Sequence, residues 1–597
     1  MFNARLYRAA FAPFLIALAL AAFSLQGRPS PLSATLAPEA FEGQRAMAEL
    51  NSLAGAYPDR RPGSAGDEAL ARHVARTIEG LGGMAGGGFS VRTERVRGQT
   101  IAGERSLLTV IAQRAGSTDA TPILIVAHRD AAARGARAEL SGTAALLELA
   151  RVFAARETKR TIVLASTSGG SGGDAGAARL AGELHGPVDA AIVLGDLAGT
   201  HTSRPFVVPF SDGLGSAPEQ LQLTLDSAIA GELGYEAGAP STLAALAHLA
   251  FPLAVGEQGV LGAAGLPSVL VQVSGERGPS AREGVSAERL QGFGRAVLNA
   301  VDALDAAPDL PAAMQTGLQI QRKTLPAWAL RLLVITLMLP VLAVAADGLA
   351  RLRRRRAPIG RWTLWTLSCA LPFFSCALFA YLLGALGVLG ASPAVPAPAQ
   401  ALPFDGRAAT AVVALALTFA LSWLLWRVLL RRLQWSERPD PEVAGLSIVL
   451  VAAALGVAVW IEDPFTALLL APALHLWLAL ASPQLRPRRA GALALVALGV
   501  LPLALLIAFY AGQLGLGVGG VAWTGLLLLA GGHVAFAGAL LWSVALGCAA
   551  AAAMLALGPG GARPDTGLGE GEEITIRGPM SYAGPGSLGG TESALPR

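Results

Sequence analysis

Hydrophobic and polar positions fall into four regimes along this chain, and each regime predicts a different kind of structure. Residues 9–23 form an apolar run behind Arg5 and Arg8, the layout of a signal anchor. No small-x-small cleavage site precedes the breaker at 27–31, so an uncleaved anchor is expected. From about 40 to 306, short apolar runs alternate with stretches of helical period, the signature of an α/β sheet covered by helices. From 326 to 557 Ala, Leu, Val and Gly dominate, in blocks long enough to suit lipid. Residues 558–597 are rich in Gly, Pro and Ser without periodicity and read as a flexible tail. The expected organisation is an N-terminal segment and anchor over 1–29, an α/β domain over 30–320, an all-α bundle of seven or eight helices over 325–557, and the tail.

Within the α/β region, residues 67–81 place Leu70, Val74, Ile78 and Leu81 on one face. Asp67 and Glu68 lie in the first turn, where acids suit the helix dipole, and Gly82 and Gly83 stop the helix. Strands are predicted at 107–112, 122–127, 161–166, 190–194 and 268–273, and helices at 217–233 and 286–304. The helix at 141–155, with Ser141 as its expected cap, is apolar all round and should be buried. In open α/β sheets, ligands bind outside the carboxyl ends of the strands. His128-Arg129-Asp130 follows one strand, Ser168 to Gly173 a second and Asp196 a third, so these three ends define a candidate site.

Charge refines the picture. Only 15% of the 597 residues are charged and the formal net charge is +4, with a mean hydropathy of +0.51. The arginines gather in short loops between apolar blocks and form no basic face, so a nucleic-acid partner is not expected. Apolar blocks at 325–350, 362–389, 409–430, 443–461, 465–482 and 491–510 are separated so that every second loop is basic. With Arg5 and Arg8 ahead of the anchor, this arrangement puts the N-terminus in the cytoplasm and residues of about 30–320 outside it. The block at 515–557 is too long for one span of about 20 residues, and Gly531-Gly532-His533 marks a turn between two helices or a break in one. The three cysteines, Cys369, Cys376 and Cys548, all lie in apolar blocks, which leaves the α/β domain without a disulfide or thiolate metal site.

Six pieces of the α/β region, in order, resemble the zinc aminopeptidase family that includes glutamate carboxypeptidase II and the transferrin receptor, metallopeptidase family twenty-eight. They are Arg61-Pro62-Gly63-Ser64-Ala65-Gly66; His128-Arg129-Asp130 after a strand; the run from Ser141-Gly142-Thr143 to Arg151; the strand at 161–166 with its Gly-rich exit; Leu194-Gly195-Asp196; and Gly265-Leu266-Pro267 before a strand. The resemblance implies a zinc-exopeptidase-like mixed sheet. The layout of anchor, α/β domain and polytopic bundle further resembles endoplasmic reticulum metallopeptidases and the attachment subunit of the glycosylphosphatidylinositol transamidase.

Active members of that family hold two zinc ions with two His, two Asp/Glu and a bridging Asp, beside a Glu general base. Two metals clamp the carbonyl and a bridging water, and the carboxylate takes its proton. Matched position by position, His128 and Asp196 are two ligands of one metal and Asp130 is the carboxylate that orients the histidine ring. The bridging position falls on Ala138, the base on Gly170, and the second metal's own ligands on Ser171 and Gln258. Two matched ligands are fewer than the three a catalytic zinc usually takes, so no cofactor is expected, or one zinc at most. Glu139, Asp174 and Glu257 are the acids placed to compensate. Neighbours on an extended segment face opposite ways, which weighs against Glu139 and Glu257 replacing Ala138 and Gln258.

Competing readings stand beside these. His128 with Asp130 also fits a core histidine held by a carboxylate, and Asp196 fits a turn cap. The Ser168–Gly173 stretch lacks the Lys-Ser/Thr ending of a phosphate loop, and Ser171 has no base at a required spacing. His185, His201 and His248 fit no metal-ligand spacing. His475 and His533 lie in or beside spans, where a polar group is costly and often functional. The leading functional reading is a catalytically inactive peptidase-like domain that binds or assembles partners on a membrane bundle, through the domain, the bundle or the tail. Residues 577–587 fit a docking peptide, but such a stretch is more often solvated disorder. The alternatives are a membrane aminopeptidase acting on extracytoplasmic peptides and a transporter or lipid-handling bundle with an accessory domain.

Overall fold

The computed structural model describes residues 3–34, 38–81, 88–184, 187–310, 313–390, 392–393, 395–432, 440–482 and 487–557. The expectations for His185, the helix stop at Gly82 and Gly83, and the tail at 558–597 lie outside them.

A seven-stranded mixed sheet organises the α/β domain, in the order Ser90–Thr100, Gly103–Arg114, Ile162–Thr167, Ile123–His128, Ala190–Leu194, Ser268–Val271, Val207–Val208. The middle four strands are parallel and the outer three pair antiparallel. Alternation along the parallel strands decides the layers, because successive side chains leave a strand on opposite faces. Ile123, Ile125, Ala127, Ile162, Leu164, Ile192 and Val269 enter one core with the helices Gly43–Ala56, Ser141–Ala154 and Ala287–Ala306. Leu124, Val126, Val163, Ala165, Val193 and Leu270 enter the other, with the helices Ala175–Glu183, Thr242–Ala250 and Glu257–Ala263. That second core runs on without interruption into the C-terminal helices through Leu318, Leu325 and Ala329.

The predicted helix at 67–81 is observed as Ala65–Gly80, starting two residues earlier because Ser64 accepts from Asp67 N at 3.2 Å. The helix Ser141–Ala154 is buried at every residue but Arg151, as its apolar circumference predicts. Ser141 is its first residue and not its cap; its hydroxyl donates to Ala138 O at 2.6 Å and accepts from Leu197 N at 2.8 Å. Gly142 is required there, because a Cβ would stand 2.3 Å from Leu194 O.

Gln26–Gly27, Lys323–Leu325 and Leu318–Ile320 form a small antiparallel sheet that ties the two connections between the α/β domain and the helices together. Among the described residues seven helices are long and apolar enough to cross a membrane: Ala4–Phe23, Ala327–Arg354, Ile359–Ala385, Gly406–Arg432, Pro441–Glu462, Arg489–Leu514 and Phe536–Leu557. Pro464–Leu480 (17 residues) and Val518–Ala530 (13 residues) are shorter. The block at 515–557 thus resolves into two helices, with Gly531-Gly532-His533 between them.

The intramembrane-type histidines are all partnered. His475 Nε2 donates to Leu337 O at 3.0 Å and its Nδ1 accepts from the Tyr7 hydroxyl at 2.8 Å, joining the N-terminal helix to Pro464–Leu480. His533 Nε2 donates to Pro252 O at 3.0 Å, and the Tyr510 hydroxyl donates to Phe251 O at 2.7 Å. His248 stacks on Phe210 with ring centroids 3.8 Å apart and meets Glu276 at 3.0 Å. The contacts of His533 and Tyr510 dock the segment around 248–252 on the helix Arg489–Leu514 and on the turn before Phe536–Leu557.

Candidate functional site

The parallel register brings the three strand ends together. His128 pairs with Thr167, from which the chain enters the Gly-rich loop, and Val126 pairs with Val193, which sets Asp196 just beyond the level of His128. The sequence-predicted site residues therefore share one end of the sheet.

Asp130 is the hub of this end. Its Oδ1 accepts from Gly169 N at 2.9 Å and Gly170 N at 3.1 Å, and its Oδ2 from Ser171 N at 3.1 Å and from the Ser171 hydroxyl. Its carboxylate is fully buried and opposes His128 Nδ1 at 3.6 Å. The hydrogen bond of His128 Nδ1 goes to the Asp130 main-chain oxygen at 3.1 Å. Burial alone would raise the carboxyl pKa, yet the adjacent His128 and the Ser171 bonds hold it at about 2. For His128 burial pulls downward, but Asp130, Glu257 and Glu139 win and the pKa is raised. Ser171, the expected position of a lost ligand, is thus a structural partner of Asp130.

Gly170 explains why no carboxylate stands at the base position. Its backbone lies against the His128 side chain, and a Cβ there would be 2.4 Å from His128 Cβ and 2.5 Å from Cγ. A side chain at 170 and the histidine in this position exclude each other. His128→Ala, by contrast, leaves Asp130 with all four loop donors, so its expected cost is about 1 kcal/mol, to be read as the midpoint shift of the α/β domain's thermal transition.

Asp196 acts as a turn cap: its Oδ1 accepts from Ala198 N at 3.0 Å and Gly199 N at 2.7 Å. Burial nonetheless raises its pKa to about 6. Ala138, at the bridging position, is buried at the start of a short helical turn with Glu139. Glu139 and Glu257 do not sit on extended segments: Ala138–Leu140 is a 3-10 turn and Glu257–Ala263 a helix. Neighbours there differ by about a third of a turn rather than a half, so both acids reach the electrostatic neighbourhood of His128. Burial pushes each up to about 7 and Asp174 well above the usual carboxylate range. One oxygen of Glu139, one of Glu257, both of Asp174 and both amide atoms of Gln258 have no hydrogen-bond partner among the described residues.

The donor set does not fit the zinc pair that the resemblance implies. Among the described residues no three His, Cys, Asp or Glu side chains group as a metal site. Gly170, Ser171, Ala138 and Gln258 carry no carboxylate or imidazole, which leaves His128 and Asp196 as the matched donors. Asp196 Oδ1 is taken by two backbone N–H groups and its Oδ2 has no hydrogen-bond partner among the described residues. What the arrangement supplies is a buried floor of carboxyl groups, their pKa values raised by burial, around one histidine.

That floor has a testable signature in pH. Glu139, Glu257 and Asp196 have folded pKa values raised to about 7, 7 and 6, against roughly 4 for unfolded carboxyls. Between those limits the folded state holds more protons, so stability falls as pH rises through the window and grows on acidification. The α/β domain should melt at a higher temperature at pH 5.5 than at pH 7.5, and Glu139→Gln should raise the midpoint at pH 7.5 while changing it little at pH 5.5. A midpoint that is flat or falls on acidification contradicts this.

Three residues essential to the site's frame were not singled out by sequence reasoning. Arg129 is fully buried and pairs with Asp67 at 2.8 Å. Arg60 is 1% exposed and donates to Ala136 O. Asp212 is pushed up to about 7 by burial and accepts from Ala254 N at 2.8 Å. An arginine wedged between a site histidine and aspartate was the available signal for Arg129; nothing local marks the other two.

Comparison with known proteins now bears on this geometry. Residues 109–232 match the sequence model of Peptidase family M28. No curated protein matches the chain. Among solved structures, the chain is similar to the glutaminyl cyclase of Porphyromonas gingivalis at 16% identity, covering 44% of this chain and 99% of that one with a TM-score of 0.33. A zinc aminopeptidase from Bacillus subtilis matches at 12% identity over 46% and 98% with a TM-score of 0.35. A Zn-dependent exopeptidase from Parabacteroides distasonis matches at 15% over 43% and 97% with a TM-score of 0.32. The stretch from within the strand Gly103–Arg114 to the end of the helix Glu219–Leu233, about a fifth of this chain, is thus similar in sequence to Peptidase family M28.

Proposed function

We propose that this chain is a membrane-embedded relative of Peptidase family M28 whose α/β domain binds or assembles partners and does not hydrolyse peptides. The observation that carries the reading is the contact of Gly170 with His128, which closes the base position to any side chain. The use of Asp130 as the anchor of the 169–171 loop and of Asp196 as a turn cap supports it further. The unpaired oxygens of Glu139 and Glu257 favour a second reading, an aminopeptidase whose ligands have shifted by one residue. Metal analysis of the purified full-length protein together with release of N-terminal residues from aminoacyl amides separates the two. Substoichiometric zinc and no release fit the binding module; two equivalents of zinc with chelator-sensitive release establish the aminopeptidase.

The same proposal sets the N-terminus in the cytoplasm and the α/β domain outside, from the basic residues at the helix ends: Arg5 and Arg8 in the first turns of Ala4–Phe23, Arg351, Arg353 and Arg354 at the end of Ala327–Arg354, and Arg431 and Arg432 at the end of Gly406–Arg432. In a background without Cys369, Cys376 and Cys548, single cysteines at the exposed Ser117 and at Ala397 should react with an impermeant maleimide in intact cells. Cysteines at Arg354, Pro439 and Gln484 should react only after permeabilisation. Labelling of position 354 from the same side as 117 overturns the topology.

A further inference from the structure

Arg427 lies inside the apolar helix Gly406–Arg432, one turn before the terminal pair Arg431 and Arg432. Its side chain is exposed, and no hydrogen bond or ion pair reaches it among the described residues. Trp423, Arg427 and Arg431 follow one another at four-residue spacing, so they share one face of the helix. Beside that face a groove of about 490 Å³ is lined by Phe373, Phe419, Trp423, Leu424, Arg427 and Ala550, from three different helices. The aromatic wall is continuous: Phe373 and Phe419 have centroids 5.2 Å apart, and Phe419 stacks on Trp423 at 5.8 Å.

A cation without a protein counter-ion is costly in an apolar helix and calls for an anion from elsewhere. The remaining lining is hydrocarbon and aromatic, which a free inorganic anion leaves unsatisfied and an acyl chain fills. The guanidinium fork matches a phosphate in two-point contact, and Arg431 one turn on adds charge where the head group meets water. We infer that this groove, between the helices Ile359–Ala385, Gly406–Arg432 and Phe536–Leu557, is a binding site for an anionic glycerophospholipid, with the phosphate on Arg427 and an acyl chain along Phe419 and Trp423. The inference rests on the reading that these helices lie in a bilayer.

Trp423 is a built-in reporter. Full-length protein is reconstituted into phosphatidylcholine vesicles carrying a small fraction of acyl-brominated phosphatidylglycerol or of acyl-brominated phosphatidylcholine. The fluorescence of Trp423 is taken as the difference between wild type and Trp423→Phe. The expected result is several-fold stronger quenching of this component by the brominated phosphatidylglycerol. In Arg427→Gln that preference should vanish, in Arg427→Lys it should persist in part, and inorganic phosphate should not compete. Equal quenching by the two lipids in wild type, as an arginine that merely reaches to the interface would give, overturns the site. So does a preference unchanged in Arg427→Gln. Absence of quenching by either lipid overturns the bilayer reading itself.

Discussion

Replacing Arg129 by methionine is expected to cost the α/β domain about 3–5 kcal/mol, the cost of breaking a buried ion pair from one side. The guanidinium is fully buried and ties its own segment to three others. Its Nε meets Asp67 Oδ1 at 2.8 Å and Asp67 O at 3.2 Å; its NH1 reaches Ser166 O and Thr167 O, both at 3.0 Å; its NH2 donates to Leu108 O. Methionine fills similar volume and offers no donor, so Asp67 Oδ1 loses its ion-pair partner and three strand carbonyls lose the guanidinium. Thr167 O keeps the main-chain N–H of residue 129, and Asp67 Oδ2 keeps Gly63 N and the Ser168 hydroxyl. Asp67 already has its pKa raised by burial, against the pull of Arg129, and without the arginine it is driven toward the neutral acid. The double variant Arg129→Met with Asp67→Asn should therefore recover part of the loss. The midpoint of the α/β domain's transition is the readout, because a chain with a separate helical part has no single unfolding free energy. Losses that simply add would show that the two residues act independently.

Gly170→Ala is expected to destabilise by about 1–3 kcal/mol through overpacking against the histidine, and Gly170→Glu by more. Restoring a glutamate at the family's base position therefore yields no peptidase, because the new side chain displaces the His128 ring from Asp130. The decisive arm is the suppressor. His128→Gly removes both the Cβ and the Cγ that a new Cβ would meet at 2.4 and 2.5 Å, so Gly170→Ala should cost less in that background than in wild type. An equal cost in both backgrounds, or aminopeptidase activity in Gly170→Glu, contradicts the packing account.

How much of this was legible in the sequence follows from where each signal lives. The central strands are buried on both faces and read as short apolar runs, so 122–127, 161–166 and 190–194 fall within a residue or so of Ile123–His128, Ile162–Thr167 and Ala190–Leu194. The strand Ser90–Thr100 went unpredicted. It pairs with one neighbour only, and its Arg92, Glu94, Arg95 and Arg97 are of the kind that guards a sheet edge and erases the apolar alternation. His128, Asp130 and Asp196 were placed at strand ends correctly, since a strand end is a local pattern. The reach of Glu139 and Glu257 was underestimated because a 3-10 turn and a helix stand where extended chain was expected. The contact between Gly170 and His128 joins the ends of two strands and leaves no local trace. In the C-terminal half, hydropathy located the helices, whereas the partners of His475 and His533 come from segments remote in sequence, Tyr7 and Pro252.

The central claim, that the residues at the sheet's carboxyl end are held by the fold and not by metal, is tested most directly by thermal melts of the full-length protein. The protein is treated first with EDTA and then with excess zinc, beside His128→Ala and Asp196→Ala. Any metal bound to the folded state alone must raise its stability by mass action, by about 2.7 kcal/mol at a hundred times the dissociation constant. The account predicts the same midpoint for the α/β domain with chelator and with zinc, in wild type and in both variants. A zinc-dependent rise in wild type that disappears in both His128→Ala and Asp196→Ala would contradict it and return the domain to the metallopeptidases.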